Sequence, residues 1–422
     1  MIALFFVIAV FFLIIGLPVA FTIGFSSVIY ILIAGIPPEI IIQRMFTGVN
    51  NTALMAIPFF ILAGELMNRG GIARRLVNLA NTMVGNIHGS LAIVSVLACM
   101  FFSSMSGSGV ATAASIGAIM IPEMVKNNYD RTYACTVVAG ASPIGVILPP
   151  SISFIIYGVL TGTSITDMYR AGIPSGIIIG FFLVLYAYIS ARRKNIKSNF
   201  VKTTLKEKLF LCKDAIWALG APVILLGGVF GGIFTPTESA VVAVIYSLVI
   251  GMFVYKDLKP KDMLEVFLRS GRMAAKIMLI ISCATLFAWV MAYERIPHAI
   301  VEKVVGFTDS KFLTLLMINL ILLGLGTFME TGALIIIITP LLMPLINAIG
   351  VHPVHFGMVL VINTAIGLVT PPVGVCIFTV SQVGGVSVER LTKNIFLPVL
   401  FMLMGLAIIT YFPETIMFAV KH

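Results

Sequence analysis

The chain has 422 residues, 59% of them hydrophobic and only 10% charged. Soluble globular domains carry about 25% charged residues, so this composition excludes a soluble enzyme or soluble binding module and points to a polytopic protein of a lipid bilayer. The net charge of +10 implies no nucleic-acid partner, because the basic residues gather in loops between apolar spans, as the positive-inside rule describes.

In chain order, the first charged residue is Glu39, and no basic segment precedes the apolar start as a signal peptide would require. As one helix, residues 2–36 would run roughly 50 Å against about 30 Å of hydrocarbon, so two short spans broken near Gly16-Leu17-Pro18 are expected. A loop around Pro37-Pro38 leads to an apolar segment over 53–67, with Glu65 expected as a cap near the interface and Arg69 just beyond. Residues 72–84 set Arg74 and Arg75 opposite Leu76, Leu79 and Met83, the pattern of an amphipathic arm lying at the membrane surface. The stretch 89–122 has no charge and holds Ser103-Ser104-Met105-Ser106-Gly107-Ser108-Gly109 at its middle. Its flanks, 91–102 and 110–120, are short for a full crossing, so a re-entrant helical hairpin is expected over 89–124. A helix over 132–160 should break at Pro149-Pro150, since proline lacks an amide hydrogen and clashes with the preceding turn. A loop over 163–170 and an apolar helix over 173–189 close the first half.

The linker 191–213 carries Arg192, Arg193, Lys194, Lys197, Lys202, Lys206, Lys208 and Lys213 and is expected in the cytoplasm. The second half then repeats the order of the first. It has a helical pair over 215–255 turning near 231–238, and a basic stretch with Lys256, Lys259, Lys261, Arg269, Arg272 and Lys276. An apolar span and an arm over 295–305 follow, then a hairpin over 311–349 with its tip at 324–332, and a helix over 354–383 broken at Pro371-Pro372. The two breaks read as copies: Ser142-Pro143-Ile144-Gly145-Val146-Ile147-Leu148-Pro149-Pro150 and Thr364-Ala365-Ile366-Gly367-Leu368-Val369-Thr370-Pro371-Pro372, with 371 − 149 = 222 and 367 − 145 = 222. Earlier the offset drifts to 225, pairing Arg44 with Arg269; the surroundings of Arg44 carry little charge and those of Arg269 are strongly basic, which places them on opposite sides. The expected architecture is therefore all-α, with inverted repeats over 1–190 and 214–422. The first hairpin enters from the cytoplasm and the second from the periplasm.

Neither a Gly-Lys-Ser/Thr phosphate loop nor a His-Glu-x-x-His pair occurs, and Gly107-Ser108-Gly109-Val110-Ala111-Thr112 lacks the third glycine and preceding strand of a dinucleotide fingerprint. Five scattered cysteines without a Cys-x-x-Cys pair imply packing residues, with no disulfide or zinc. His352 and His355 are expected in one solvated loop. A membrane-embedded enzyme would need clustered His, Asp or Glu at membrane depth, where Glu330 stands alone, and a channel would need a continuous polar pore. Glu238, after Thr235-Pro236-Thr237, is expected as a cap. The hairpin tips and the breaks offer hydroxyls and backbone carbonyls at mid-membrane, the neutral oxygens that hard cations take. Helix N-termini at the same places suit an anion.

The paired Gly-x-x-x-Pro-Pro breaks, the Ser-Met-Ser-Gly-Ser-Gly tip, Gly16-Leu17-Pro18-Val19-Ala20-Phe21 and Ile57-Pro58-Phe59-Phe60-Ile61-Leu62-Ala63-Gly64 resemble the large membrane subunit of tripartite ATP-independent periplasmic (TRAP) transporters over essentially the whole chain. The resemblance implies a sodium-driven importer in the bacterial inner membrane, working as an elevator. It also implies two partners, a soluble periplasmic binding protein that delivers an organic anion and a small four-helix membrane subunit, which the 191–213 linker is too short to contain. The solute could be a sugar acid such as sialic acid or a C4-dicarboxylate, and a single-component sodium/carboxylate symporter is the alternative. Carried over, one sodium site would use Ser104, Ser106 and Gly107 with Gly145 and Pro149, and a second Gly326 and Thr327 with Gly367 and Thr370. The solute would lie near Ser106, Ser108, Thr112, Ser142 and Pro143. The second tip has Thr-Phe-Met-Glu-Thr where the first has Ser and Gly, so the two sodium sites need not be equivalent.

Overall fold

The computed structural model describes residues 2–84, 87–196, 205–308 and 310–420, and every regular element among them is helical. Helices α1 (Ile2–Ile14) and α2 (Val19–Ile33) are separated where Gly16 takes φ +82° and Pro18 opens the next helix, as the sequence implies. The expected loop after Pro38 is instead a helix, α3 (Glu39–Val49), followed by a 3-10 turn (Thr52–Met55) and α4 (Ala56–Arg69), the pair bent by 60°. The bend has a local cause: Asn51 accepts the Ala53 N–H through Oδ1 at 2.9 Å and starts a new helix.

The arm α5 (Ile72–Met83) buries Ile72, Leu76, Leu79 and Ala80. It packs on α6 (Ser90–Ser106) of the first hairpin, whose second limb is α7 (Gly109–Lys126). These limbs have 17 and 18 residues, longer than the expected flanks. α7 is long and apolar enough to cross a membrane by itself, and the tip between the two limbs is packed inside the protein. The broken helix follows as α8 (Arg131–Ala141), the single turn α9 (Ile144–Ile147) and α10 (Ile152–Thr161). The expected loop over 163–170 is the start of α11 (Ile165–Arg193), capped by Ser164. Its charges, Asp167 and Arg170, form an i,i+3 pair at 3.1 Å on the helix rather than marking a loop.

In the second half α12 (Leu205–Phe230) starts within the expected linker, of which residues 197–204 lie outside the described residues. α13 (Pro236–Val249) opens with a capping box in which Thr235 and Glu238 satisfy each other's backbone, so Glu238 is the expected cap. Then come α14 (Met263–Tyr293), the arm α15 (Ile296–Phe307), and the hairpin limbs α16 (Lys311–Gly326) and α17 (Thr331–Ala348). The second broken helix is α18 (Pro353–Gly367) and α19 (Val375–Gly384), followed by α20 (Val388–Tyr411) and the short α21 (Glu414–Met417). Each proline pair, Pro149-Pro150 and Pro371-Pro372, is joined by a cis peptide bond.

The repeat is visible in the boundaries: α7 and α17 begin at 109 and 331, and α8 and α18 at 131 and 353, each the same 222 apart as the breaks. The halves differ at α14, one straight helix of 31 residues where the first half has the bent α3–α4 pair. Where Asn50-Asn51 interrupts the first copy, the second has Ala275-Lys276, good helix formers.

Two packed groups result. In one, α4 lies on α13, and α14 lies on α2, α3 and α4; in the other, α7 lies on α8 and α19, α10 on α17, α16 on α18, and α11 on α20. α5 and α14 reach across, to α6 and α17 respectively. Glu65 does not cap: it faces Arg269 at 3.7 Å, within a chain of ion pairs that includes Arg269–Glu265 and Arg69–Glu265, both at 2.7 Å. Arg75 ties α5 to α12 and to the segment after α13 through Asp214 at 3.3 Å and Asp257 at 2.8 Å, with its guanidinium 3.5 Å from the Tyr255 ring centroid. The arm is therefore clasped by protein as well as amphipathic.

Opposite orientation of the halves is tested by labelling. Single cysteines at Lys202, in the undescribed part of the linker, and at Lys303 on α15 should react with an impermeant thiol reagent from opposite sides of the membrane, in a background without the native cysteines. Labelling of both from one side would overturn the inversion.

Candidate functional site

The first break is built by what the prolines take away. Pro149 and Pro150 donate no backbone hydrogen bond, so Ser151 Oγ donates to the Val146 carbonyl at 2.7 Å in place of an amide. The residues 142–153 are all buried, which puts open backbone in the middle of the fold. The hairpin tip comes up against it. Ser103 Oγ donates to the Ile144 carbonyl at 2.6 Å. Gly107 turns with φ +59°, and a Cβ there would stand 2.9 Å from the Pro150 carbonyl oxygen. On the other side, a Cβ on Gly145 would stand 2.6 Å from both the Ser108 carbonyl oxygen and Thr112 Oγ1. Glycine is thus required on both faces of the contact.

Around Gly145 three neutral oxygens cluster. Ser106 Oγ lies 3.2 Å from Thr112 Oγ1 and 3.3 Å from the Ser108 carbonyl, and Thr112 Oγ1 donates to that carbonyl at 2.8 Å. The three are joined by hydrogen bonds to one another, and all are neutral oxygens of the kind that hard cations take. Ser104, expected among them, turns its hydroxyl back to the Phe101 carbonyl at 2.6 Å; Ser103 is the serine that crosses to the break. The carbonyl beside the tip is that of Pro150, one residue beyond Pro149.

The second tip and break meet more tightly. A Cβ on Gly367 would fall 2.4 Å from the Gly326 carbonyl oxygen and 2.7 Å from its Cα. The hydroxyls here are used locally, Thr327 Oγ1 donating to Gly324 at 2.8 Å and Thr370 Oγ1 to Ile366 at 2.7 Å. Backbone carbonyls therefore dominate this copy, where the first has a hydroxyl cluster.

Between the two tips lies a crevice of about 60 Å³, small beside the 300–1,000 Å³ of ordinary ligand sites. Gly107–Val110 of tip one, Ile152 and Ser153 after break one, Glu330–Gly332 of tip two and Leu368 of break two all reach it, and Met273 and Ile277 of α14 close a wall. The N-termini of α7, α10 and α17 converge there, each a positive dipole end; at α7 the Ala111 N–H is already accepted by Ser108 Oγ at 3.3 Å. The exposed Glu330 holds its carboxylate over the first turn of α17, 3.4 and 3.5 Å from where a Gly332 Cβ would stand. Thr331 Oγ1, buried at the same place, has no hydrogen-bond partner.

Of the residues expected near the solute, Ser108 lines this crevice, and Ser106 and Thr112 stand behind it in the oxygen cluster. Ser142 and Pro143 are fully packed behind the tip and are absent from the lining; Ser142 Oγ donates to Ala139 at 2.8 Å. Sequence reasoning missed Ser153 and Thr331. Thr331 fell within the tip quoted for the second hairpin, but Ser153 sits in an apolar helix and gave no signal. The histidines are not a solvated pair: His352 caps α18 by accepting the Val354 N–H at 3.2 Å, and His355 is buried with Nε2 2.9 Å from the Ile409 carbonyl. Among the described residues no group of three or more His, Cys, Asp or Glu could hold a metal ion.

A family model described as the tripartite ATP-independent periplasmic transporter, DctM component, matches residues 6–415. The chain is 41% identical to the isethionate TRAP transporter permease protein DctMQ of Oleidesulfovibrio alaskensis, over 96% of this chain and 64% of that protein, so it spans less than two thirds of that relative's length. It is 40% identical to the C4-dicarboxylate TRAP transporter large permease protein DctM of Pseudomonas aeruginosa (88% of this chain, 86% of that one). To the sialic acid TRAP transporter large permease protein SiaM of Vibrio cholerae it is 36% identical (94% and 93%). Among solved structures, the Alcanivorax borkumensis YdaH transporter superposes with a TM-score of 0.61 at 13% identity, over 88% of this chain and 86% of that one, a likeness of fold alone. With eight helices among the described residues apolar and long enough to cross a membrane, and the family match running almost end to end, the chain is a multi-pass inner-membrane protein and belongs to the family of DctM components of TRAP transporters.

Proposed function

We propose that the chain is the large permease of a sodium-coupled importer of an organic acid anion, moving its cargo by an elevator motion of the hairpins and broken helices. The observation that carries this reading is the convergence of three helix N-termini on one crevice, next to a cluster of neutral oxygens at Gly145. The first feature suits a carboxylate or sulfonate and the second a monovalent cation. The names of the relatives, C4-dicarboxylate, isethionate and sialic acid, all describe small organic anions and support the class without choosing a member. They are permeases by name, and the chain is a transporter component and not an enzyme. The crevice is too small for any of these solutes, so the cargo needs the tips to part. The reading includes a periplasmic binding protein that hands over the anion and a small membrane subunit; the DctMQ relative, of which this chain spans 64%, fits a second membrane component.

The test is uptake into proteoliposomes under an inward sodium gradient. The chain alone should take up none of the three anions. Adding the small subunit and the loaded binding protein from the same source should start uptake that stops when potassium replaces sodium. Robust uptake by the chain alone would favour the single-component symporter.

A further inference from the structure

We propose that a groove between α8, α11 and α20, remote from the crevice, binds an anionic phospholipid, with its phosphate between Lys194 and Lys393. The groove has a volume of about 400 Å³ and shares no lining residue with the crevice or with the oxygen cluster at Gly145. Its chemistry is graded along its depth. α11 and α20 run past each other in opposite directions here, with the rings of Tyr186 and Phe401 5.9 Å apart. Ser190 lies one turn from Tyr186 on one face of α11, Lys194 follows four residues on as the C-cap of that helix, and Lys393 lies two turns from Phe401 on α20. Both lysines therefore stand at the same level, at the mouth. This is the end of the fold that carries Arg192 and Arg193, the cytoplasmic end by charge.

Below the lysines the wall turns apolar. Phe396 and Leu400, 60% and 53% exposed, continue the Lys393 face toward the membrane interior, where acyl chains would lie. The Lys194 ammonium is 4.9 Å from the Tyr133 ring centroid, which holds it over the groove. The Tyr133 hydroxyl is already paired with Ser190 Oγ at 2.8 Å, so the ring is fixed. Neither lysine has an ion-pair partner among the described residues. Two ammonium groups above an apolar slot at the cytoplasmic face match a phosphodiester carrying acyl chains, whereas a water-soluble anion would leave the slot unused and a neutral lipid would leave the charges unused.

The experiment uses the full chain purified in detergent and stripped of lipid, then offered phosphatidylglycerol or phosphatidylcholine. Native mass spectrometry reads the bound lipid and a thermal melt reads stabilisation. The wild type should retain phosphatidylglycerol over phosphatidylcholine, and K194Q/K393Q should lose that preference by about tenfold in apparent affinity, the effect of about 1.4 kcal/mol. K194R/K393R should keep it, which separates charge loss from misfolding. R192Q/R193Q removes the same charge from the same end outside the groove and should bind as wild type. The proposal is overturned if K194Q/K393Q binds phosphatidylglycerol as wild type does, or if R192Q/R193Q loses as much. It is also overturned if glycerol 3-phosphate displaces the lipid at equal concentration, which would make the groove a site for free anions, or if the small membrane subunit displaces it, which would make the groove a protein interface.

Discussion

Gly367→Ala should reduce sodium-driven uptake by at least about tenfold at normal membrane abundance, and Gly367→Val should abolish it. A Cβ at this position would stand 2.4 Å from the Gly326 carbonyl oxygen, 2.5 Å from its carbon and 2.7 Å from its Cα. These are backbone atoms at the end of α16, and no rotamer change can move them aside. The tip must retreat from the break, carrying with it the carbonyls around both glycines. Overpacking of this kind costs about 1–3 kcal/mol, and about 1.4 kcal/mol already corresponds to a factor of ten. Gly145→Ala should behave similarly, because its Cβ would meet the Ser108 carbonyl and Thr112 Oγ1 at 2.6 Å. Gly227→Ala on α12 is the control: nothing lies within 4 Å of that Cβ, and alanine is the better helix former. Uptake by Gly367→Ala within twofold of wild type would show that the second tip and break need not touch for transport.

The reach of the sequence into this arrangement differs from place to place, and the reasons are physical. Pro149-Pro150 and Pro371-Pro372 announce their breaks because proline cannot continue a helix wherever it stands. Their equal offset ties the halves together before any contact is known. The tip around Gly107 was legible for a related reason, a run of Ser and Gly with no charge inside an apolar stretch. Helix α3 was not legible, because Glu39 and Arg44 after Pro37-Pro38 look like a loop; in the fold that segment is a helix with Glu39 in its first turn, lying on α14. The start of α11 also carries charges that read as a loop, Asp167 and Arg170, which pair along the helix behind the Ser164 cap. At the site itself, composition pointed to the right segments but could not say which hydroxyl faces out. Ser103 and Ser104 are neighbours of one type, yet the helix turns one to the break and the other back to Phe101. Ser142 has the polarity of a ligand and lies fully packed behind the tip.

On the proposed sodium coupling, that difference in hydroxyl use predicts an asymmetry between the two copies. Ser106→Ala should raise the sodium concentration for half-maximal uptake by about tenfold, while Thr370→Val should change it by no more than about twofold. Ser106 Oγ is one of three oxygens within 3.3 Å of one another beside Gly145. Removing it takes one donor from a small set and adds nothing in its place, and a hard cation is held by the number of its oxygens. A loss of about 1.4 kcal/mol is the tenfold expected. Thr370 differs, since its hydroxyl donates to the Ile366 carbonyl at 2.7 Å, back onto the last turn of α18, which ends before it. Valine keeps the branched shape and leaves the backbone carbonyls around Gly326 and Gly367 in place. Larger changes remove the distinction: Ser106→Leu and Thr370→Leu both crowd a tip against a break and should both cut uptake strongly. Val242→Leu on α13, outside both tips and breaks, should do little. The decisive comparison is the pair of small substitutions, measured as uptake against external sodium at fixed solute with expression matched. Equal sodium curves for Ser106→Ala and wild type would remove the hydroxyl cluster from the sodium path. A tenfold shift for Thr370→Val would mean that its oxygen turns from Ile366 to the ion when sodium binds.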